Sequence, residues 1–203
     1  MRQSLKDHWV VVLIGVLVTV GTLFWTILSN QRDNRRAEIE FKNDLVAQIT
    51  EPSSDALVTG RRVVGLPNAP RLPGHQAQTA GYAEYLRVRK LWTETRYEIG
   101  GKLAASFSTD IVGEWDQFGG AVEDYLRLSS SGNTLSARRG AAERLTAYLG
   151  GFDPSFSIPA RPHAPGFVDD YFRSTDLLGR KMKELTSDLN GADARQFGFC
   201  IWC

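Results

Sequence analysis

Apolar residues fall into two kinds of pattern along this chain. From residue 9 to 28 they run almost without interruption, WVVVLIGVLVTVGTLFWTIL, with no Asp, Glu, Lys or Arg. Further on they recur at spacings of three and four among charged neighbours. At about 1.5 Å of rise per residue the first run reaches roughly 30 Å, the thickness of a bilayer's hydrocarbon core, and it exceeds the apolar centre of a secretory signal. The run ends in Leu28-Ser29-Asn30-Gln31-Arg32, which lacks the small-residue pattern of a signal cleavage site. Trp9 and Trp25 stand near its ends, where amphipathic rings favour the headgroup region. The pattern predicts a transmembrane helix over 9–29 after a short N-terminal tail over 1–8.

The second pattern predicts helices. Residues 30–50 continue the anchor as a charged juxtamembrane stalk, with Ile39, Phe41, Leu45, Val46 and Ile49 as its apolar content. Glu51-Pro52-Ser53-Ser54 is expected to stop it, and 51–78 reads as a Pro/Gly-rich linker with room for a short helix over 54–64. A bundle domain then occupies 79–190. Its first helix, 79–107, carries Tyr85, Val88, Trp92, Ile99 and Leu103 on one face, and its second, 110–129, repeats Ile111, Trp115, Phe118, Val122 and Tyr125.

A third helix over 135–149 shows a weaker stripe closed by Gly150-Gly151, and a fourth over 167–189 holds Tyr171, Thr175, Leu178, Met182, Leu185 and Leu189. Gly100-Gly101 costs about 2 kcal/mol inside a helix, so either a break there, the preferred reading, or close packing of another backbone against it is expected. The proline-rich segment 152–166 reads as an ordered crossover loop whose Phe152, Phe156 and Ile158 plug the end of the bundle. Residues 191–203 form an apolar C-terminal tail. Strand-type alternation is absent. The fold class is all-α: one N-terminal transmembrane helix, a stalk, and a compact four- to five-helix bundle of about 110 residues.

Charge orients the anchor. Arg2 and Lys6 precede it, whereas Arg32, Arg35 and Arg36 come after it with Lys42 beyond, so the basic count puts the C-terminal side in the cytoplasm. The expected location is a plasma or inner membrane, crossed once, with the bulk domain cytoplasmic. This architecture is common in small bacterial membrane proteins and carries no mechanism by itself. Within the anchor, Gly15, Thr19, Thr22, Thr26 and Ser29 share one helix face. Small residues there admit a second helix and hydroxyls can bond across to it, although hydroxyls also bond back to their own carbonyls. That face is the expected contact for self-association or for a partner's membrane helix.

Candidate chemistry changes the picture little. His8, His75 and His163 lie at the membrane boundary, in the linker and in the crossover loop, so no helix presents a His pair or a Glu-x-x-His spacing. Phosphate-loop, nucleophile-elbow and dinucleotide-turn motifs are absent, and the paired acids Glu123-Asp124 and Asp169-Asp170 point about 100° apart on a helix. No cofactor and no enzyme activity is expected.

Arg87, Arg89, Lys90 and Arg138, Arg139 are local basic clusters. With Lys and Arg at 24 and Asp and Glu at 23, they read as surface charge rather than a nucleic-acid footprint. Cys200 and Cys203, in a terminal Cys-Ile-Trp-Cys, admit a redox pair, half of a metal site, or prenylation at Cys200. The preferred reading is an apolar tail that packs. The function expected is non-catalytic: binding, sensing or regulation of a protein partner at the bilayer. An accessory subunit of a larger membrane complex is the alternative, and a thiol-dependent redox or metal protein ranks below it.

Overall fold

Burial in this chain is organised around one helix that packs against three others. In the computed structural model, which describes residues 2–65, 76–129, 133–192 and 194, five helices and no strand occur: α1 (Arg2–Gly65), α2 (Gln76–Ser106), α3 (Thr109–Ser129), α4 (Leu135–Gly150) and α5 (Phe167–Gly191). Two compact units result, one containing α1 up to Phe41 and the other beginning at Lys42 and containing α2 to α5. In the second unit α3 packs against α2, α4 and α5. Ile111, Trp115, Phe118, Ala121, Val122, Tyr125, Leu126 and Leu128 are therefore all buried, more than one amphipathic stripe would supply.

The α2–α3 contact is aromatic. Trp92, Trp115 and Phe118 lie with ring centroids 5.9 to 6.2 Å apart. Each indole N–H is satisfied by the opposite backbone: Trp92 Nε1 donates to the Gly119 carbonyl at 3.3 Å and Trp115 Nε1 to that of Arg96 at 3.1 Å. Buried tryptophans need such partners, so these two bonds also set the helices' mutual register.

Two expectations are corrected. The stalk does not stop at Pro52, because α1 runs through it to Gly65. A proline there removes one helical hydrogen bond and costs about 3 kcal/mol. Leu45 and Ile49 before it and Ala56 and Leu57 after it are all in the core, and each buried Leu or Ile contributes about 1.5–3 kcal/mol. Tertiary burial outweighs the local breaker, and Ser53 Oγ adds a bond to the Ile49 carbonyl at 2.6 Å. Residues 42–65 thus belong to the bundle rather than to a stalk and linker, while linker residues 66–75 lie outside the described residues.

Nor does α2 break at Gly100-Gly101. Gly100 faces the Trp115 indole, where an alanine Cβ would stand 3.6 Å from Nε1. Among the described residues no helix is long and apolar enough to cross a bilayer. Of the apolar run, residues 9–17 are described in backbone only.

In the crossover loop Phe156 and Ile158 are buried as expected, and Phe152 is half-buried beneath Lys181 Nζ, 3.7 Å from its ring centre. The closest approach in the unit is at Gly60. A Cβ there would lie 2.4 Å from Tyr125 Cε1 and 2.5 Å from the Tyr171 hydroxyl. Both rings are buried and stacked on each other at 4.3 Å, so they have no room to yield.

Gly60→Ala is expected to destabilise the protein by about 1–3 kcal/mol through overpacking. Gly101→Ala, whose Cβ would meet nothing within 4 Å, is expected to stabilise it by up to about 1 kcal/mol through helix propensity. Urea denaturation followed by far-UV circular dichroism measures both, and a Gly60→Ala variant as stable as the parent would contradict the packing at Gly60.

Candidate functional site

Among the described residues, a run of exposed large apolar side chains lies on α1 in the first unit. Val18, Val20, Leu23, Phe24, Trp25, Ile27 and Leu28 are all exposed, Trp25 to 70% of its full area. The hydroxyls among them are spent locally. Thr22 Oγ1 donates to the Thr19 carbonyl at 2.9 Å, Thr26 Oγ1 to that of Thr22 at 2.8 Å, and Ser29 Oγ to that of Thr26 at 3.0 Å. The segment therefore offers apolar surface without an unsatisfied hydroxyl at Thr22, Thr26 or Ser29. Of the expected stripe, Thr19, Thr22, Thr26 and Ser29 share the helix as read, and Gly15 is described in backbone only. Arg32, Arg35 and Arg36 are exposed one to two turns further on. Cys200 and Cys203 lie outside the described residues.

In the second unit, two grooves run along the helix seams. One of about 480 Å³ separates α1 from α5, with Leu57, Val58 and Met182 as apolar lining and Ser54, Thr175, Asp176, Arg180 and Lys183 as polar lining. Behind it is a hydroxyl node. Tyr125 donates to the Leu57 carbonyl at 2.9 Å and lies 2.9 Å from Thr175 Oγ1, and the Tyr171 hydroxyl donates to the Tyr125 carbonyl at 3.2 Å. Burial pushes the Tyr125 phenol up to about 12 and raises that of Tyr171 as well. The other groove, about 410 Å³, runs between α4 and the crossover loop, where Thr146 Oγ1 accepts from the Ile158 amide at 3.3 Å.

The acids and bases pair off. Asp124, buried, takes both Arg144 Nε at 2.8 Å and Arg144 Nη2 at 2.6 Å. Asp153 accepts from the Ser155 amide and hydroxyl and from Arg173, and Ser155's hydroxyl chiefly holds its carboxyl below the usual range. Arg87 pairs with Glu84 and Lys90 with Glu94 along α2. Arg138, read from sequence as surface charge, is instead buried: its Nε donates to the Ala160 carbonyl at 3.0 Å and its guanidinium lies over Phe167.

Glu123 is different, because three guanidiniums surround it: Arg127 Nη2 at 2.6 Å, Arg96 Nη1 at 3.5 Å and Arg89 Nη2 at 3.8 Å. Sequence reading missed this convergence. The visible signals were Glu123 four residues before Arg127 on one helix and Arg89 seven before Arg96 on another. Among the described residues no group of three His, Cys, Asp or Glu is placed to hold a metal. The arrangement offers apolar surface, grooves and one arginine-rich cluster, which suit recognition. No family model, no curated protein and no solved structure matches this chain.

Alkaline titration tests the tyrosine node. Between pH 10 and 12 an unfolded tyrosine releases its proton while folded Tyr125 keeps it, so the folded state binds more protons and stability falls as pH rises. The contribution is complete below pH 10 and gone above about 12. The Tyr125→Phe variant is expected to flatten this fall by up to about 1.4 kcal/mol per pH unit, read from urea midpoints at successive pH values. Identical pH profiles for the two proteins would contradict the burial of the phenol.

Proposed function

We propose that this chain is a single-pass membrane protein whose helical bundle binds a protein partner in a regulatory or assembly role, without catalysing a reaction. The observation that carries it is the exposed apolar segment at 18–28, with Thr22, Thr26 and Ser29 bonded to their own helix. In water such a surface demands cover. In hydrocarbon, where every polar group must be satisfied internally, the segment is already suited to its surroundings. The upstream residues 9–17, uncharged in the sequence, extend the apolar run to roughly bilayer thickness.

Arg32, Arg35 and Arg36 fit the inner face of the bilayer, where each basic residue contributes about 1 kcal/mol toward anionic lipid. That sense of insertion gives a cytoplasmic bundle. The hydroxyl bonds leave the Gly15 to Ser29 face suited to close van der Waals packing against a second membrane helix rather than to interhelical hydrogen bonding. The groove between α1 and α5 offers the bundle's apolar docking surface, ringed by charges of both signs that would set a partner's orientation.

Membrane extraction tests the membrane assignment. The full chain is expected to stay in the membrane pellet through high salt and alkaline carbonate. Val18→Arg with Val20→Arg, each arginine costing about 2.5–3.5 kcal/mol near the centre of a spanning helix, is expected to shift it to the supernatant. Release of the unaltered chain by salt alone would overturn the membrane assignment, and labelling of Cys203 on intact cells by an impermeant thiol reagent would overturn the cytoplasmic one. Stoichiometric recovery with one integral membrane protein in mild detergent would favour the accessory subunit.

A further inference from the structure

The cluster around Glu123 carries more charge than its ion pairs consume. Arg89 and Arg96 on α2 and Arg127 on α3 all face one carboxylate, leaving two positive charges in excess. Of the neighbouring acids, Asp124 is engaged bidentately by Arg144, Glu84 by Arg87 and Glu94 by Lys90, while Asp116, whose backbone carbonyl accepts from Arg96, is exposed to solvent. Arg127 Nε is buried without a hydrogen-bond partner. The three guanidiniums stay reachable, with side-chain exposures of 36%, 23% and 32% for Arg89, Arg96 and Arg127. A surface salt bridge gains little, so three cations gathered on one anion is a poor way to stabilise a helix pair.

Arg96 is also held in place. Its side chain lies across Gly119, where a Cβ would come within 2.6 Å of Nε and 2.8 Å of Cδ, so only glycine leaves this path open. Its Nη2 donates to the Asp116 carbonyl at 3.1 Å, and its own carbonyl accepts from the Trp115 indole. The guanidinium is thereby immobilised before any anion arrives, which lowers the entropic cost of binding one.

We infer that Arg89, Arg96 and Arg127 form a binding site for a phosphomonoester, with Glu123 as the internal counter-ion that keeps the three guanidiniums convergent. A phosphomonoester carries about −1.5 to −2 at neutral pH and presents three acceptor oxygens, which matches the excess charge and the number of guanidiniums. The site belongs to the bundle and does not depend on the membrane assignment. The phosphomonoester is either a soluble metabolite or a lipid headgroup.

The test uses the full chain in non-ionic detergent micelles. Indole fluorescence is the readout, since Trp115 is hydrogen-bonded to Arg96 and Trp92 to Gly119. One arm titrates inorganic phosphate at fixed ionic strength against chloride. The other adds short-chain phosphatidic acid to the micelles against short-chain phosphatidylcholine. A saturable change with phosphate assigns a soluble ligand, and one with phosphatidic acid alone assigns a headgroup.

In either arm Arg89→Gln, the most exposed of the three, is expected to weaken binding about tenfold through loss of a charge-assisted contact. Glu123→Gln removes the competing carboxylate and is expected to tighten binding severalfold, a sign that a purely structural ion-pair network does not give. No saturable response to either probe, or an affinity unchanged by Arg89→Gln, overturns the inference.

Discussion

Three helices of the bundle meet at the hydroxyl of Tyr125, and the packing around it depends on the absence of a side chain at Gly60. The phenol on α3 reaches the Leu57 carbonyl on α1 and Thr175 on α5, while Tyr171 stacks on its ring and donates to its backbone. Thr175 Oγ1 also lies 3.2 Å from the Tyr171 carbonyl, so two hydroxyl protons serve three contacts and one is shared. Such a node is worth more than its separate bonds only while every member is satisfied and water is kept out. Gly60 provides that exclusion by letting the α1 backbone close onto both rings. The constraint also explains why α1 stays helical through Pro52, since Leu57 and Gly60 lie beyond the proline and reach the node only if the helix continues.

Much of this was legible in the sequence, and the errors have a common cause. The four-three repeats placed the helices at 79–107, 110–129, 135–149 and 167–189 within a few residues of where they occur, because each buries one face against α3 or is α3 itself. Pro52 and Gly100-Gly101 misled because breaker rules weigh local costs of about 2–3 kcal/mol. Burial of Leu45, Ile49, Leu57 and Trp115 contributes more than that and comes from elements far away in the chain. Arg138 misled for the same reason: an arginine next to another arginine reads as solvated, and only the crossover loop's Ala160 carbonyl and Phe167 ring show where it goes.

The groove between α1 and α5 and the cluster at Glu123 were illegible in a stricter sense. Leu57 and Met182 share a wall only after folding, and Arg89 and Arg127 converge from different helices. What the sequence does carry is charge order along α2. Glu84 with Arg87, Lys90 with Glu94 and Glu98 with Lys102 stand three or four apart and neutralise one another on the helix surface. Arg89 and Arg96 stand outside that series, on the face turned toward α3, and the residual charge of α2 is concentrated there.

The exposed segment of α1 raises a question of magnitude. Seven large apolar side chains, each between 40% and 70% exposed and each worth about 1.5–3 kcal/mol if fully taken out of water, represent roughly 6–12 kcal/mol of unrealised stabilisation, comparable to the whole folding free energy of an ordinary domain. A soluble protein with that surface uncovered would associate through it at low concentration. Protein cover and lipid cover make different demands on the hydroxyls. A protein interface can supply partners to Thr22, Thr26 and Ser29, whereas hydrocarbon supplies none and requires each to bond within its own helix. The hydroxyls take the second arrangement without any partner to force it, so entry into a bilayer would strand no hydroxyl at these three positions and would release the hydrophobic free energy of the whole segment.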